Sequence, residues 1–168
     1  MSEFVKKPST ETKIKRELKF QLYADGVCEK DIGGWCSLII DKNEKKTILS
    51  GKENEVTKQI IEMFPIIEGL EWIYNTVETK KRKHINVTIF TDSPYCVNLL
   101  KEWLDMWKDD LDSRPNSELL KKLYELKRKI KIESKWAQKV LNENTWTVDR
   151  VSNEQIKCEE KDLKEENV

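Results

Sequence analysis

Histidine is nearly missing from this chain. Its 168 residues hold one, His84, beside four cysteines, five glycines and four prolines. His84 sits in the basic run Lys80-Lys81-Arg82-Lys83, so a histidine-dependent nucleophilic triad is all but excluded. Cys28, Cys36, Cys96 and Cys158 show no C-x-x-C spacing, and a four-ligand zinc site would need nearly all of them with the histidine. Four widely spaced cysteines with no signal peptide read as reduced thiols in an intracellular, cytosolic or nuclear setting. No run of about 18 apolar residues occurs, which excludes a membrane span. The opening MSEFVKKPSTETKIKREL has no apolar segment and carries Glu3, Glu11 and Glu17, so neither a secretory nor a mitochondrial presequence is expected. Net charge is missing too: 31 Lys+Arg cancel 31 Asp+Glu. That zero withholds the simplest sign of a nucleic-acid binder. With histidine and cysteine set aside, chemistry falls to the carboxylates.

What the chain has in plenty is charge and tryptophan. Charged residues make up 37%, against about 25% in an ordinary domain, and a lean 38% of hydrophobic residues includes six Trp. Low hydrophobicity without high net charge argues against a disordered chain. The length suits one domain with a sizeable core. Residues 1–17 read as a flexible basic arm, 18–156 as the folded domain and 157–168 as a charged tail or a frayed helix end.

Inside the domain two periods alternate. Lys19 to Asp25 alternates apolar and polar, and WCSLIID after Gly33-Gly34 and KKTILSGK after the Asp41–Glu44 turn follow as strands, an antiparallel meander. Ile60, Ile61, Phe64, Ile67, Leu70, Ile73, Tyr74 and Val77 then recur at three and four, predicting a helix of about five turns. Pro65 inside it predicts a kink or a late start. INVTIFTD reads as a central strand. Ser93-Pro94 opens a helix through Trp107. Asn116 or Ser117 caps another over SELLKKLYELKRK. KIKIESKWA is a fifth strand and VDRVSNEQIK a last helix. The order β-β-β-α-β-α-α-β-α describes an α/β fold with one five-stranded mixed sheet and helices on both faces.

Three aspartates fall where this scheme exposes an acid: Asp25 ending the first strand, Asp92 ending the central strand, and Asp149 near the start of the last helix. Functional groups gather at strand ends in open α/β sheets. Glu62 joins them from the first helix, while Glu71, nine residues on, points the other way. Each aspartate taken singly is most often a turn former or a cap. Converging carboxylates without a basic partner oppose one another's ionisation unless cations sit among them. Oxygen-only ligation suits Mg²⁺ or Mn²⁺, and metals paired about 4 Å apart serve in-line phosphoryl displacement.

In these motifs the sequence resembles the type 1 ribonuclease H (ribonuclease HI) family. The likeness runs from about Phe20 to Ile156. It rests on Y-A-D-G-V-C at 23–28, G-G-W at 33–35, T-K-Q-I-I-E at 57–62 and E-G-L-E at 68–71. It continues in T-D-S-P-Y at 91–95, Trp103 with Trp107, P-N-S-E-L-L at 115–120 and V-D at 148–149. The resemblance implies a ribonuclease H-like fold and Asp25, Glu62, Asp92 and Asp149 as ligands of two Mg²⁺ ions, with Mn²⁺ a substitute. It implies hydrolysis of the RNA strand of an RNA/DNA hybrid, leaving 5′-phosphate and 3′-hydroxyl ends. Thr57 and Asn116 match positions that hold a phosphate of the DNA strand. Gln59 stands at a minor-groove contact in place of the usual Asn. Cys28 matches a position beside the RNA backbone, with a small buried thiol as the equal alternative. Trp103 and Trp107 line a channel for the DNA strand or pack in the core, without the third aromatic the family usually adds. The partners implied are the hybrid and no membrane, for a monomer or a domain associated with a reverse transcriptase or replication machinery.

The chain also departs from the family pattern. The turn after the first strand is shortened to E-K-D-I, and the stretch before Asp149, K-V-L-N-E-N-T-W-T-V-D, lacks the family's histidine. Asn142, Glu143 and Asn144 are the candidates to stand in for it. The basic protrusion after Trp107 is missing, which predicts modest, salt-sensitive binding. Residues 121–139 carry eight Lys/Arg against two Glu, either a solvated face or a phosphate track. The competing readings are a catalytically silent module that binds hybrids or serves assembly, and a resolvase- or integrase-type nuclease, whose ligand order differs.

Overall fold

The computed structural model describes residues 17–138 and 142–166, with side chains to Lys157. The basic arm, apart from Glu17, lies outside the described residues. β1 (Leu18–Glu29), β2 (Ile32–Ile40) and β3 (Lys46–Asn54) form the expected meander. β4 (Ile85–Thr91) and β5 (Lys131–Trp136) complete one sheet in the order β3-β2-β1-β4-β5, with β1–β4 and β4–β5 parallel.

Local chemistry explains the turns. Lys30 takes a left-handed φ of 60° between β1 and β2, so two residues suffice for the hairpin. Between β2 and β3, the Asp41 carboxylate accepts the N–H groups of Asn43 and Lys45 at 2.8 and 2.9 Å, a side-chain mimic of a turn.

Helix α1 (Lys58–Thr76) runs unbroken through Pro65, so it neither starts late nor stops there. Pro65 has no N–H to return to the Ile61 carbonyl. Gly26 of β1 packs against that carbonyl so closely that a Cβ would overlap it. On the other side of Pro65, the Ser37 hydroxyl donates to the Pro65 carbonyl at 2.5 Å. The proline thus sits where the helix is pressed hardest onto the sheet.

Helix α2 comprises Pro94–Asn98 and Leu104–Trp107 with a π-helical turn, Leu99–Trp103, between them. Helix α3 is Ser117–Lys129 and helix α4 is Glu143–Glu166. α4 begins before the expected Val148 and carries the charged C-terminal stretch in helix to Glu166, so the frayed-end alternative is the nearer one.

The main core lies on the α1 face, where Leu22, Ile39, Met63, Ile66, Leu70, Val87 and Ile89 are buried. A smaller cluster, Tyr23, Cys36, Leu38, Ile40 and Val148, packs under α4. There Tyr23 stacks on Phe90 with ring centroids 4.5 Å apart. Covering both faces explains why β2 is buried along nearly its whole length.

Candidate active site

The acids meet through strand register. Ala24 of β1 pairs with Thr91 of β4 as parallel neighbours, so the next residues, Asp25 and Asp92, stand side by side. Asp25 does not end its strand: β1 continues to Glu29, and Asp25 is 4% exposed between the two cores. Asp92 does follow the last residue of β4.

Glu62 arrives from α1, whose N-terminus lies at this same end of the sheet. The Ser93 hydroxyl donates to Glu62 Oε2 at 2.6 Å, and Ser93 directly follows Asp92. Lys58, one turn back, lies 4.0 Å from Glu62 Oε1. The Lys58 end of the pair is exposed while the Glu62 side chain is mostly buried. Burial pushes the Cys96 thiol up to about 12, and the Glu62 and Asp92 charges push the same way. Cys36 is likewise raised to about 12 by burial first and then by Asp25.

Asp149 sits in the second turn of α4, near its start as expected. Its neighbours tie it to the acid edge. Ser152 donates to the Asp25 carbonyl at 3.0 Å. Val148 and Thr145 line a small cavity with Asp25, Phe90, Thr91 and Asp92. The Asp149 carbonyl and carboxylate accept from the Asn153 amide at 2.8 and 3.4 Å.

Among the described residues, no group of three or more His, Cys, Asp or Glu side chains is drawn together tightly enough to hold a metal ion. The donor chemistry still fits a hard divalent cation. Asp25, Asp92 and Glu62 offer carboxylate oxygens only, with Asp25 on β1 and Asp92 directly after the adjacent β4. His84 takes no part, since it ends a 3₁₀ turn (Thr79–His84) at the opposite, N-terminal end of β4.

The other sequence-nominated residues form two groups. Cys28 Sγ donates to the carbonyls of Lys30 and Val56 at 3.2 and 3.5 Å. Val56 precedes Thr57, whose hydroxyl caps α1 by accepting the Ile60 N–H at 3.3 Å. Thr57 and Gln59 are exposed and Cys28 half-buried, all at the acid end of α1. In the second group, Trp103 and Trp107 stack with centroids 5.5 Å apart and pack partly against the core. Arg114 covers Trp107 at 3.8 Å, and Tyr95 meets Trp103 edge-on at 5.9 Å, a third aromatic the sequence reading missed. Its signal was present as the last residue of T-D-S-P-Y. Asn116 follows at the N-terminus of α3 with φ 63°, and its side chain makes no capping bond there.

Of the candidates to stand in for the missing histidine, Asn142 directly precedes α4 and Glu143 and Asn144 lie in its first turn. Asn142 caps α4 reciprocally with Thr145, at 3.0 Å through its carboxamide and 2.9 Å through its N–H. Asn144 lines a cavity with Lys19, Gln21 and Asn86, toward the far ends of β1 and β4. In the basic stretch 121–139, Lys121 pairs with Asp112, Lys127 with Asp105, Arg128 with Glu125 and Lys131 with Glu17. Residues 139–141 lie outside the described residues.

Comparison with known proteins bears on the same frame. The family model described as RNase H matches residues 17–159. The ribonuclease H of Caldicellulosiruptor saccharolyticus is 31% identical over 139 residues, covering 79% of this chain and 90% of that protein. The N-terminal RNase H domain of a Mycobacterium tuberculosis protein superimposes with a TM-score of 0.68 at 16% identity, covering 88% of this chain and 99% of that one. LC11-RNase H1, solved in complex with an RNA/DNA hybrid, gives 0.61 at 18% identity over 82% of this chain and 96% of its own.

Proposed function

The chain belongs to the ribonuclease H family, and on that premise we propose that it is an endoribonuclease that cuts the RNA strand of RNA/DNA hybrids. The observation that carries this reading is the meeting of Asp25 and Asp92 on adjacent parallel strands with Glu62 bonded to Ser93 beside them.

In this reading Asp25, Glu62, Asp92 and Asp149 hold Mg²⁺ or Mn²⁺. Bound there as a pair, the ions would supply Lewis-acid activation of the attacking water and stabilisation of the leaving 3′ oxygen, giving 5′-phosphate and 3′-hydroxyl ends. The protein's own part is positional. Ser93 keeps the Glu62 carboxylate turned toward Asp92, and the hydrogen bond from Ser152 to the Asp25 carbonyl ties α4, with Asp149, to β1. Cys28, Thr57 and Gln59 at the acid end of α1, and Trp103, Trp107 and Asn116 beyond α2, take the two strands of the hybrid. The 2′-hydroxyl selects RNA for cutting.

The test is an end-labelled hybrid incubated with Mg²⁺ or Mn²⁺, beside double-stranded RNA and double-stranded DNA. Only the RNA of the hybrid is expected to be cut, chelation by EDTA should stop it, and added metal should restore it. Partners that merely orient metal ligands are worth about 10–100-fold. Asp92→Asn, which alters a ligand, should therefore cost more than that. Full activity in Asp92→Asn would sink the site assignment. Binding of the hybrid without cleavage in either metal would leave a hybrid-binding module instead.

A further inference from the structure

The basic run that holds His84 has no part in the acid site, yet the fold gives it a partner. Lys80, Lys81, Arg82 and Lys83 lie in the 3₁₀ turn Thr79–His84, and Lys127, Arg128 and Lys129 end α3. Tyr74, in the last turn of α1, joins the two segments. The Arg82 guanidinium lies 4.5 Å and the Lys129 ammonium 5.4 Å from its ring centroid. Arg82 is fixed further by its Nε–H, which donates to the Val77 carbonyl at 3.2 Å. Two cations distant in sequence thus share one aromatic ring.

Few acids offset this face. Residues 78–84 and 127–131 together hold eight Lys/Arg against Glu78 alone. Glu78 pairs with Lys80 and Lys81, Asp105 with Lys127, Glu125 with Arg128 and Glu17 with Lys131. Arg82, Lys83 and Lys129 make no ion pair among the described residues. Lys83 and Lys129 are exposed and Arg82 half-buried. The dipole of α3 favours cations in its last turn. It gives no reason for a second run of four to be set against them, where like charges repel. A polyanion supplies one.

The face lies at the end of the molecule away from the acids. β4 begins at Ile85, directly after the 3₁₀ turn, and Asp92 follows its last residue about 20 Å on. A duplex seated at the acids is stiff on this scale, since DNA holds its direction over about 150 bp. A single strand bends, and a basic face can track its backbone whatever its sequence.

We propose that Arg82, Lys83 and Lys129, gathered at Tyr74, bind phosphates of a single-stranded flank of the hybrid that leaves the cleft and turns back along the domain. This rests on the ribonuclease reading of the acid site. The face adds grip and takes no part in the chemical step.

Fluorescence anisotropy in EDTA tests it, comparing a blunt hybrid with hybrids that carry a single-stranded extension of about 12 nucleotides at either end of either strand. At least one extension should tighten binding about ten-fold at low salt, with a log–log salt slope steeper by about 2, three phosphates at about 0.7 each. Lys83→Gln with Lys129→Gln changes exposed residues only and should remove most of the gain. Adding Arg82→Gln should remove the rest, with thermal melting as a check on folding. Affinity for the blunt hybrid, and kcat on it in Mg²⁺, should stay at wild-type values in both variants. No gain from any extension, or a gain that the triple variant keeps, would overturn the flank site. So would an equal loss on blunt and extended hybrids, or binding to phosphatidylserine vesicles without any preference for extended hybrids. Tighter binding of extended hybrids by a wild type that cuts no hybrid in Mg²⁺ or Mn²⁺ would overturn the ribonuclease reading and leave the phosphate face standing.

Discussion

Ser93 donates its hydroxyl proton to Glu62 across 2.6 Å while its oxygen accepts the Cys96 N–H at 3.1 Å. One buried side chain thus caps α2 and tethers the α1 carboxylate beside Asp92. Removing it as Ser93→Ala should cost about 1–2 kcal/mol of stability for the cap. Cleavage should fall through kcat with KM little changed, because Ser93 positions Glu62 without needing to touch the hybrid. Urea unfolding and steady-state kinetics check the two effects separately, and an unchanged kcat would count against the tether.

Gly26 is the contact through which β1 meets α1. A Cβ there overlaps the Ile61 carbonyl, and backbone cannot step aside as a flexible side chain can. Gly26→Ala should destabilise the fold by about 1–3 kcal/mol, the usual cost of overpacking. It should also shift Asp25 relative to Glu62, so activity should fall below what the loss of folded protein explains. Denaturant midpoints compared with specific activity decide this.

Glu68 is held above the ordinary carboxylate range by burial, and then by the charge of Glu71. Its folded form therefore keeps its proton at pH values where the unfolded chain has released it. Stability from this residue falls as pH rises from the unfolded to the folded pKa, and above that the ionised group is a burden. Glu68→Gln should be more stable than wild type at pH 7, with the gain shrinking toward pH 4. Urea unfolding at the two pH values gives the sign, and a gain that grows on acidification would refute it.

Burial pushes the thiols of Cys36 and Cys96 up to about 12. Thiolate, not thiol, is the nucleophile. Cys28 is partly exposed. Iodoacetamide at pH 8 should therefore label Cys28 in the native protein and reach Cys36 and Cys96 only on unfolding. Peptide mass spectrometry before and after denaturant reads the order directly.

Legibility followed the range of the forces involved. α3 spans Ser117–Lys129, the residues the pattern proposed, because its apolar stripe is local. α1 does not start late at Pro65, and the support there comes from Gly26 and Ser37, distant in sequence. α4 began at Glu143 because the Asn142–Thr145 reciprocal cap outweighs the polar look of E-N-T-W-T. Asp25 was placed at a strand end because its polarity suggested a turn, yet the sheet buries it.

The sequence by itself determined the element order and the ordered set of four acids, because residue type and period carry those directly. It also explains the zero net charge: a basic arm and an acidic C-terminal stretch cancel about a neutral middle. Only the tertiary structure decided which groups share a site. Parallel register sets Asp25 beside Asp92, Ser93 brings Glu62 to them, and α4 packing brings Thr145 and Val148 to the same small cavity. It also showed which of the basic residues at 121–139 meet acids from other elements, as Lys121 does Asp112 and Lys127 does Asp105. Those outcomes depend on contacts between residues tens of positions apart, which burial and hydrogen-bond satisfaction select and one-dimensional pattern does not encode.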